Sequence, residues 1–499
     1  MTVRPNVLVI QADQFRWDCM GAAGHPDVET PALDALAGDG VLHTEAFCAL
    51  PVCTPSRYSL LSGQAVHQHG GWTNRSTLAP GIDTFPRALR RAGYRTAAVG
   101  KMHFTPTYLD VGYDRLVLAE QHGPGRYDDD YHRDLRAAGL APVVDLLDQE
   151  ESLRASAGPA YWTTYGTGRS DLPEEWHSTT WIGERARREL DAWTGGGGQL
   201  LHVSFVKPHH PFDPPAPWDE RYDPAALTVL PGWAEAIPEQ DRPYANEYFG
   251  YDGLTEAALR TAMAHYYATI TQLDHHVGLL LDGLRERGLY DDTLVVFTSD
   301  HGEYLGFHHL LLKNGPMYDP LVKVPLVVKY PGTRAARRDT SLVSLIDVAP
   351  TVLAAAGVAP SEPLPGRDLA DPASSRRCVF AENRRGPAAF MARTATHKLL
   401  AYDDGALDAF YDLAADPYEL DNRIADPACT RLAGELRGAL ADWVMYDTPT
   451  PVHLDEHAPA VDAANVPSPD PARRAEHRDW FAARAAEAAA HPDFAPWRG

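Results

Sequence analysis

The chain has 499 residues, of which 44% are apolar, and its formal net charge of −23 comes from 45 Lys and Arg against 68 Asp and Glu. This length and apolar fraction predict a globular protein with a large core and about three domain-sized units. The acidic balance argues against nucleic acid and anionic membranes as partners, so an anionic substrate should meet a local positive pocket.

The cysteines limit the redox chemistry that the chain can carry. They are dispersed at positions 19, 48, 53, 378 and 429. Because their number is odd and no C-x-x-C pair occurs, the sequence predicts neither a disulfide framework nor a cysteine zinc site. No signal peptide or membrane-spanning segment is visible before the first apolar run. We therefore expect a cytoplasmic protein.

Short apolar runs predict the buried strands of a helix-covered sheet. These runs cover residues 6–12, 96–99, 200–206, 294–298 and 324–328. Helical patterns separate them, most clearly over residues 256–287 and 346–356. Alternating strands and helices indicate an α/β sandwich, in which catalytic residues gather just beyond the carboxyl ends of strands. Four polar residues closely follow such runs, namely Asp13, Lys101, His209 and Asp300.

The segment C-T-P-S-R at residues 53–57 precedes a short helical run. Thr54 is predicted to cap this helix, and Pro55 suits its first turn. Cys53 then lies just outside a helix N-terminus, a position that favours negative charge developing on a reacting atom, and Arg57 adds a positive charge one turn along. Such a cysteine is predicted to be an activated thiolate or a residue made from cysteine. The simpler alternative is a buried cysteine before a helix that starts with proline.

Lys101 and His103 follow the second predicted strand, where alternation would let both side chains face one pocket. Seen alone, this pair is most simply a solvated lysine and a structural histidine. The long irregular stretch over residues 105–198 predicts a binding loop. Its aromatic side chains could wall a compact pocket, and they include Tyr161, Trp162, Tyr165, Trp176 and Trp181.

Two acidic-plus-polar pairs, Asp13-Gln14 and Asp300-His301, end the first and fourth predicted strands. Pairs at two strand ends can converge on one divalent cation. Carboxylate and amide oxygens suit a hard ion such as calcium, and an imidazole broadens the choice towards manganese. Each pair alone is also what a turn followed by a helix cap would show.

From about residue 371 the pattern changes to short antiparallel strands, predicted over residues 378–381, 389–394, 398–402 and 409–413. A helix over residues 430–445 completes a smaller α+β unit. The last stretch is rich in Pro, Ala and Asp and ends in an Ala-rich helix near residues 479–490, which predicts a packing arm or a homo-oligomer contact. The sequence thus predicts three units, residues 1–370, 371–447 and 448–499.

Three segments resemble the sulfatase family. Residues 53–57 resemble its first signature, C-x-P-S-R, residues 93–104 resemble the second almost throughout, and residues 410–422 are typical of the small C-terminal subdomain. The resemblance covers most of the chain. It implies an alkaline phosphatase-like α/β sandwich with a large helix-flanked mixed sheet and a smaller C-terminal α+β subdomain. It also implies that a formylglycine-generating enzyme oxidises Cys53 to formylglycine, an aldehyde whose hydrate is the nucleophile.

The resemblance assigns site residues position by position. The metal, calcium with manganese as the alternative, would be held by Asp13, Gln14, Asp300 and His301. The implied catalytic residues are Cys53, Arg57, Lys101, His103, His209 and Lys313. Two further positions that often line such pockets are Asn74 and His177. His210, beside His209, is expected to be structural.

The implied reaction begins when one hydroxyl of the hydrate attacks sulfur. Asp300 is placed to take its proton, and Arg57 orients the hydrate. The metal, Lys101 and Lys313 hold the sulfuryl oxygens and stabilise charge in the transition state. His209, together with Lys313, protonates the leaving oxygen. His103 then deprotonates the second hydroxyl, so that sulfate is expelled and the aldehyde regenerates.

The sequence therefore predicts a sulfatase acting on the sulfate monoester of a small alcohol or phenol. Gln14 and His301 depart from the Asp and Asn of many sulfatases and resemble the choline sulfatase and phosphonate monoester hydrolase branches. The alternative is a phosphonate monoester or phosphodiester hydrolase that uses the same site. A different class is a non-enzymatic anion-binding protein with an unconverted cysteine, against which the complete Lys, His, Asp and Arg set argues.

Overall fold

The structure, a computed structural model, describes residues 4–79, 81–120, 129–140, 158–244, 249–313, 315–372, 375–384 and 388–450. The Ala-rich helix predicted near residues 479–490, and most of the predicted arm, lie outside the described residues.

The described strands are numbered in chain order. They are β1 Asn6–Asp13, β2 Val41–His43, β3 Ala46–Phe47, β4 Arg95–Gly100, β5 Arg115–Leu118, β6 Gln199–Pro208, β7 Thr293–Ser299, β8 Leu326–Lys329, β9 Arg337–Asp339, β10 Val343–Ser344, β11 Val379–Asn383, β12 Ala389–Arg393, β13 His397–Tyr402 and β14 Ala409–Asp412.

The described α-helices are numbered in the same way. They are α1 Pro31–Asp39, α2 Cys53–Ser62, α3 Val66–His69, α4 Phe85–Arg91, α5 Asp130–Ala137, α6 Pro159–Thr163, α7 Ser178–Asp191, α8 Glu256–Glu286, α9 Asp319–Val322, α10 Val348–Ala355 and α11 Thr430–Asp442.

Eight strands form one large mixed sheet in the order β5-β4-β6-β1-β7-β8-β2-β9. The central strand β1 runs parallel to β6 and β7, while β8 runs antiparallel to β7. All eight residues of β1 are buried, because helices cover the sheet and its parallel strands meet no solvent. Parallel strands β1, β4, β6 and β7 therefore end at the same edge.

The predicted α/β sandwich is confirmed, and the five apolar runs correspond to β1, β4, β6, β7 and β8. The last of them, residues 324–328, starts later than predicted, because the Val324 N–H bonds to the Ala46 carbonyl instead of joining the sheet beside β7. The predicted helix over residues 346–356 begins with a 3-10 turn, Leu345–Asp347, before α10.

Two groups of helices flank the sheet. Helices α7 and α8 pack on each other and on β6, with α1 against α8, while α2, α4 and α10 form a second group. At the end of β4, Gly100 has φ +100°, and a Cβ there would lie 2.0 Å from the Ser204 carbonyl oxygen. Only glycine lets β4 approach β6 this closely at the edge where the candidate site lies.

The small C-terminal sheet joins β11, β12, β13 and β14 in antiparallel order, with α11 packed on it. The four antiparallel strands predicted for this region are confirmed. Asp319 of α9 ties this sheet to the large one through Lys398 and Arg393, at 2.5 and 3.0 Å. Burial would raise the pKa of Asp319, but these two cations outweigh burial and hold the pKa well below its usual range.

All five cysteines are free thiols. Among the helices that the structure describes, none combines the length and the apolar character needed to cross a bilayer.

Buried histidines make the stability of this fold sensitive to pH. Burial, the main cause in each case, lowers the pKa from 6.5 to about 4 in His43 and His276 and to about 3 in His69 and His202. Burial also raises the pKa of Glu120 to about 8 and that of Asp274 to about 7. Histidines with a lowered pKa stabilise the fold above pH 6.5 and lose that contribution as pH falls.

We expect the free energy of unfolding to decrease as pH falls from about 6.5 to about 4.5. In this window the unfolded chain binds a proton on each of these four histidines that the native chain excludes, while the raised pKa values of Glu120 and Asp274 act in the opposite direction. The contribution of each histidine to the free energy of unfolding is therefore lost as pH falls, which urea unfolding at a series of pH values measures.

His43 provides the control for this prediction, because neither of its ring nitrogens has a hydrogen-bond partner in the described part of the chain. His43→Leu removes one titrating group and should reduce the slope by about 1.4 kcal/mol per pH unit. A free energy of unfolding that stays constant or rises on acidification would contradict the assignment of neutral buried histidines.

Candidate active site

Polar side chains meet where the parallel strands end. Asp13 is the last residue of β1, and Asp300 directly follows β7. The two strand ends are joined beyond the sheet, because the Asp300 N–H donates to the Ala12 carbonyl at 3.3 Å and the Gln14 N–H donates to Asp300 Oδ1 at 3.0 Å. The edge of the sheet thus fixes two carboxylates beside each other.

Helix α2 places Cys53 at this edge. The helix begins at Cys53 itself, after Val52, so Cys53 is its first residue and not a residue outside it. The predicted cap by Thr54 is wrong, because Thr54 lies within the first turn and its hydroxyl donates to the His103 carbonyl at 2.8 Å. Pro55 does occupy the first turn, as predicted.

Four side chains converge on one point. One ligand atom from each of Asp13, Cys53, Asp300 and His301 lies within 4.8 Å of all the others, and all four residues are buried. Cys53 Sγ is 3.3 Å from His301 Nε2 and 3.8 Å from Asp13 Oδ1. Burial, with Asp13, raises the pKa of the Cys53 thiol against the opposing effect of Lys313 and Lys101.

The donor set suits a divalent cation. His301 Nδ1 faces the Gly302 carbonyl at 2.9 Å, so the proton is assigned to Nδ1 and the Nε2 lone pair faces the cluster. The side-chain amide nitrogen of Gln14 donates to Glu303, while its Oε1 is buried with no hydrogen-bond partner among the described residues. An amide oxygen left unsatisfied in this way is costly, and a cation beside it would remove the cost. The residues present therefore fit a metal site.

Arg57 joins the two carboxylates. Its guanidinium contacts Asp13 Oδ2 at 2.9 Å and Asp300 Oδ2 at 2.9 Å. Another nitrogen donates to the Lys101 carbonyl at 2.6 Å and to Ser204 Oγ at 2.7 Å. Since Arg has five donors in a fixed plane, these hydrogen bonds use all three nitrogens of the guanidinium for contacts within the protein. Arg57 therefore holds the two aspartates in place, and its predicted role in orienting the hydrate of residue 53 stays a prediction.

Lys101 lies against the same carboxylate, with Nζ 2.6 Å from Asp13 Oδ2 and no exposed surface on either side chain. Burial would raise the pKa of Asp13, but Lys101, His209, Arg57 and Lys313 outweigh it and hold the pKa well below the usual range. Asp13 is therefore ionised and stabilised by several buried cations.

Lys313 and His209 form the other side of the site. Lys313 Nζ lies 3.1 Å from Cys53 Sγ, 2.8 Å from His209 Nε2 and 3.2 Å from His301 Nε2. His209 Nδ1 faces the His210 carbonyl at 2.6 Å, which leaves Nε2 to accept from the lysine. Burial, then Lys313 and Lys101, lowers the pKa of His209 well below its usual value, so the ammonium of Lys313 is the proton donor of this pair.

His103 is held near the nucleophile by its backbone. Strand β4 ends at Gly100, and His103 has φ 56°, so the strand alternation expected for Lys101 and His103 does not extend to them. The Met102 and His103 N–H groups donate to Glu120 at 3.0 Å, and the His103 carbonyl accepts from the first turn of α2. The buried Glu120 thus shapes the turn that carries both predicted residues.

The two lower-ranked predicted residues have structural contacts. Asn74 Oδ1 accepts the Thr54 N–H at 3.0 Å, which satisfies a free donor in the first turn of α2. His177 precedes α7, and its Nδ1 accepts the Thr179 N–H at 3.4 Å as a helix cap. Burial, with Lys207 and His276 nearby, lowers the pKa of His177 well below its usual value, as expected for a neutral cap.

The aromatic residues of the insertion divide into two groups. Tyr161, Trp162 and Tyr165 pack around Phe249, with ring centroids 5.8 Å from it. This cluster lies between the two loops of the site. The Phe212 N–H, three residues after His209, donates to the Gly166 carbonyl at 2.9 Å. Tyr251, which stacks on Tyr165, donates to the Leu311 carbonyl at 2.9 Å, two residues before Lys313.

Trp176 and Trp181 lie apart from this cluster. The Trp181 indole donates to Asp134 at 2.9 Å, and the Trp176 carbonyl accepts from the Tyr131 hydroxyl at 2.9 Å. The Trp181 indole is therefore held by a residue of α5, and the expectation that the rings of these two residues wall the pocket stays a prediction.

Three residues of the site were not recognised in the sequence. Ser204 on β6 binds Arg57, Glu120 binds the turn after β4, and Glu303 binds Gln14. The only feature of the sequence that points to Glu303 as a site residue is its position two residues after the Asp300-His301 pair. Ser204 and Glu120 have no recognisable spacing from the other site residues in the sequence. Each lies on a separate segment and contacts the site through a guanidinium or backbone N–H groups.

Comparison with known proteins agrees with this geometry. The family described as Sulfatase matches residues 5–358, and a second family, described as N-sulphoglucosamine sulphohydrolase, C-terminal, matches residues 306–445. An arylsulfatase from Clostridium perfringens is 28% identical over 455 residues, with 85% of this chain and 90% of the relative covered. A choline-sulfatase from Rhizobium meliloti is 30% identical over 455 residues, with 85% and 83% covered.

Solved structures show the same fold. The phosphonate monoester hydrolase of Agrobacterium radiobacter superposes with a TM-score of 0.73 at 26% identity, with 88% of this chain and 95% of that chain covered. The sheet order, the small C-terminal sheet and the neighbours together give an alkaline phosphatase-like architecture. With a family match over most of its length, the chain belongs to the sulfatase family and is a sulfuric ester hydrolase.

Proposed function

We propose that this protein hydrolyses the sulfate monoester of a small alcohol or phenol, with formylglycine formed from Cys53 as the nucleophile. The observation that carries the proposal is the position of Cys53 Sγ, which lies 3.1 Å from Lys313 Nζ and 3.3 Å from His301 Nε2 at the first residue of a helix. A side chain at this point meets cations and a helix N-terminus, which both stabilise negative charge on a reacting group.

The chain's own residues bind the sulfuryl group. Lys101 and Lys313 are buried cations, one beside Asp13 and the other 3.1 Å from Cys53 Sγ, and they can bind non-bridging oxygens. Arg57 holds Asp13 and Asp300 in fixed positions, so that charge in the transition state meets preorganised groups instead of water. The site is thus locally cationic in a protein whose net charge is −23.

Proton transfer to the leaving oxygen is assigned to the pair of Lys313 and His209. Their nitrogens are 2.8 Å apart, and the lysine carries the proton that the neutral imidazole accepts. As the sulfur–oxygen bond breaks, this pair delivers a proton to the alcohol. The sulfuryl group is then on one hydroxyl of the hydrate, and removal of a proton from the other, assigned to His103, expels sulfate and restores the aldehyde.

Asp13, Gln14, Asp300 and His301 are proposed to hold one divalent ion, calcium with manganese as the alternative. Three oxygen donors and one imidazole support this choice. When bound, the ion supplies Lewis-acid stabilisation of the negative charge that develops on the sulfuryl oxygens. Maturation requires a formylglycine-generating enzyme as a partner.

The aromatic cluster around Phe249 supports a compact leaving group. It joins the loops that carry His209 and Lys313, and Trp162 is 39% exposed. Such a surface can stack on an aromatic ring or contact a small organic cation. The alternative, a phosphonate monoester or phosphodiester hydrolase, is favoured by the Gln14 and His301 pair and by the likeness to phosphonate monoester hydrolases.

Conversion of Cys53 is tested by mass spectrometry. We expect protein co-expressed with a formylglycine-generating enzyme to carry an aldehyde at residue 53, while Cys48, which is equally buried, remains a thiol. Cys53→Ala should lose all activity while keeping the fold. Fully active protein with an unmodified thiol at residue 53 would exclude this nucleophile.

Metal binding is tested on protein stripped with a chelator. We expect it to regain one divalent ion per chain, and Asp13→Ala and Asp300→Ala to lose the ion, measured by elemental analysis and calorimetry. Asp83→Ala is the control, since Asp83 pairs with Arg91 near the surface, away from the cluster. Unchanged metal content in both cluster variants would show that the ligand assignment is wrong.

Substrate preference is tested with matched aryl sulfate and aryl phosphonate monoesters on matured protein. We expect kcat/KM to favour the sulfate, because the cationic set suits a group with several non-bridging oxygens. A preference of more than about tenfold for the phosphonate or a phosphodiester, roughly 1.4 kcal/mol in transition-state binding, would select the alternative. Cys53→Ala must lose both activities together if one site performs them.

A further inference from the structure

We propose that Glu303 is a positioning residue that makes Gln14 a metal ligand by fixing the orientation of its side-chain amide. The inference rests on the proposed metal site and extends it to a residue that touches no reacting atom. Glu303 has no exposed surface. It follows the ligands Asp300 and His301 in the chain, yet its hydrogen bonds go elsewhere.

The carboxylate of Glu303 accepts three hydrogen bonds. Oε2 accepts from the Gln14 side-chain nitrogen. Oε1 accepts from the backbone N–H of Leu305 at 3.0 Å and from the backbone N–H of Leu312. A carboxylate has no donor, so it can bind only the nitrogen end of an amide.

This contact decides which end of the Gln14 amide is left without a hydrogen-bond partner and so can serve a cation. With Nε2 against Glu303, Oε1 points away and is buried without a hydrogen-bond partner among the described residues. The oxygen has lone pairs to offer a cation, whereas the nitrogen of an amide has none. If the partner at this position could also donate a hydrogen bond, the Gln14 amide could turn and present its nitrogen to the cation instead.

The backbone of Gln14 is held in place, so only the orientation of its side-chain amide remains to be determined. Its φ is 64°, a left-handed conformation that is unfavourable for a residue other than glycine. The N–H donates to Asp300 Oδ1 at 3.0 Å, and the carbonyl accepts from the Tyr266 hydroxyl at 2.7 Å. A strained backbone held from both sides, with an unsatisfied oxygen at the end of the side chain, indicates a side chain placed for a ligand.

The rival explanation is that Glu303 only holds the loop that carries Lys313, through Leu305 and Leu312. Glu303→Gln separates the two roles. The amide oxygen of the new side chain can keep both backbone hydrogen bonds, which leaves its NH₂ group facing the NH₂ group of Gln14. Two donors in contact repel, so Gln14 turns its amide and directs nitrogen at the metal.

The test measures the dissociation constant for Mn²⁺ and for Ca²⁺ by calorimetry on chelator-stripped, full-length protein. We expect Glu303→Gln to weaken binding at least tenfold while circular dichroism shows an unchanged fold. Asp274→Asn is the matched control, since Asp274 is a buried carboxyl that accepts the backbone N–H groups of Ala32 and Leu33 and contacts none of the proposed ligands. It should change the constant less than about threefold.

A double-mutant cycle separates orientation from charge. If Glu303 acts through Gln14, then Glu303→Gln has no further effect on the dissociation constant in the Gln14→Met background. An equal loss in both backgrounds would mean that Glu303 acts by its charge alone, and the proposal would be wrong. Unchanged affinity in Glu303→Gln, with loss in Asp13→Ala, would overturn the role of Glu303 and leave the metal site standing.

The exchange Gln14→Glu with Glu303→Gln covers the case in which the single variant does not fold. It keeps one carboxylate and one amide in contact, with the carboxylate now at position 14 and able to face the ion. We expect this protein to bind Mn²⁺ at least as tightly as the unmodified chain. A folded exchange variant that loses more than tenfold in affinity would overturn the proposal, and a parent chain that binds neither ion would overturn it together with the metal site.

Discussion

The site depends on the buried contact between one guanidinium and two carboxylates. Asp13 and Asp300 sit at the ends of adjacent parallel strands, where their like charges would repel in a region without solvent. Arg57 neutralises them from the helix that begins with Cys53, and it also binds the end of β4 and a serine on β6. Removing one partner of such an arrangement leaves a buried charge uncompensated, which typically costs about 3 to 5 kcal/mol. The contact therefore stabilises the fold and positions the nucleophile.

Cations and carboxylates around Cys53 explain how an acidic protein can accept an anionic substrate. Lys101 is committed to Asp13, while Lys313 lies among the nucleophile and two imidazoles. The overall negative charge acts at long range, where salt screens it, whereas these buried cations act within a few ångströms at low dielectric. Net charge and site charge thus differ in sign without conflict.

Two buried glutamates outside the cluster hold the loops on which the site is built. Glu120 accepts the N–H groups of the turn after β4, and Glu303 accepts those of the loop before Lys313. Both loops contain residues at positive φ, among them His103, Leu305 and Leu312. Such conformations persist where surrounding hydrogen bonds hold the backbone, and the side chains of Glu120 and Glu303 accept such hydrogen bonds here.

The sequence by itself determined the strands, the small antiparallel unit and the residues that belong together. Apolar runs bounded by polar residues fix which segments are buried, and the motif around Cys53 identifies its neighbours because the family keeps them in register. It gave no sign that the side chains of Asn74 and His177 accept backbone N–H groups in the first turns of two helices, and their place in the pocket stays a prediction. The predicted helix cap by Thr54 was wrong, because the Thr54 hydroxyl donates to the carbonyl of His103, which is distant in the sequence.

Tertiary structure alone decided what each predicted residue contacts. Arg57 binds the aspartates, Trp176 and Trp181 leave the aromatic cluster, and Glu303 selects the orientation of Gln14, each through a partner from a separate segment. A sequence pattern shows the residue types and the hydrophobic period of a helix or strand, and both reflect interactions between residues that are close along the chain. The direction of a buried hydrogen bond depends on donors and acceptors brought together by the sheet, and their sequence separations, up to 289 residues here, carry no periodic signal.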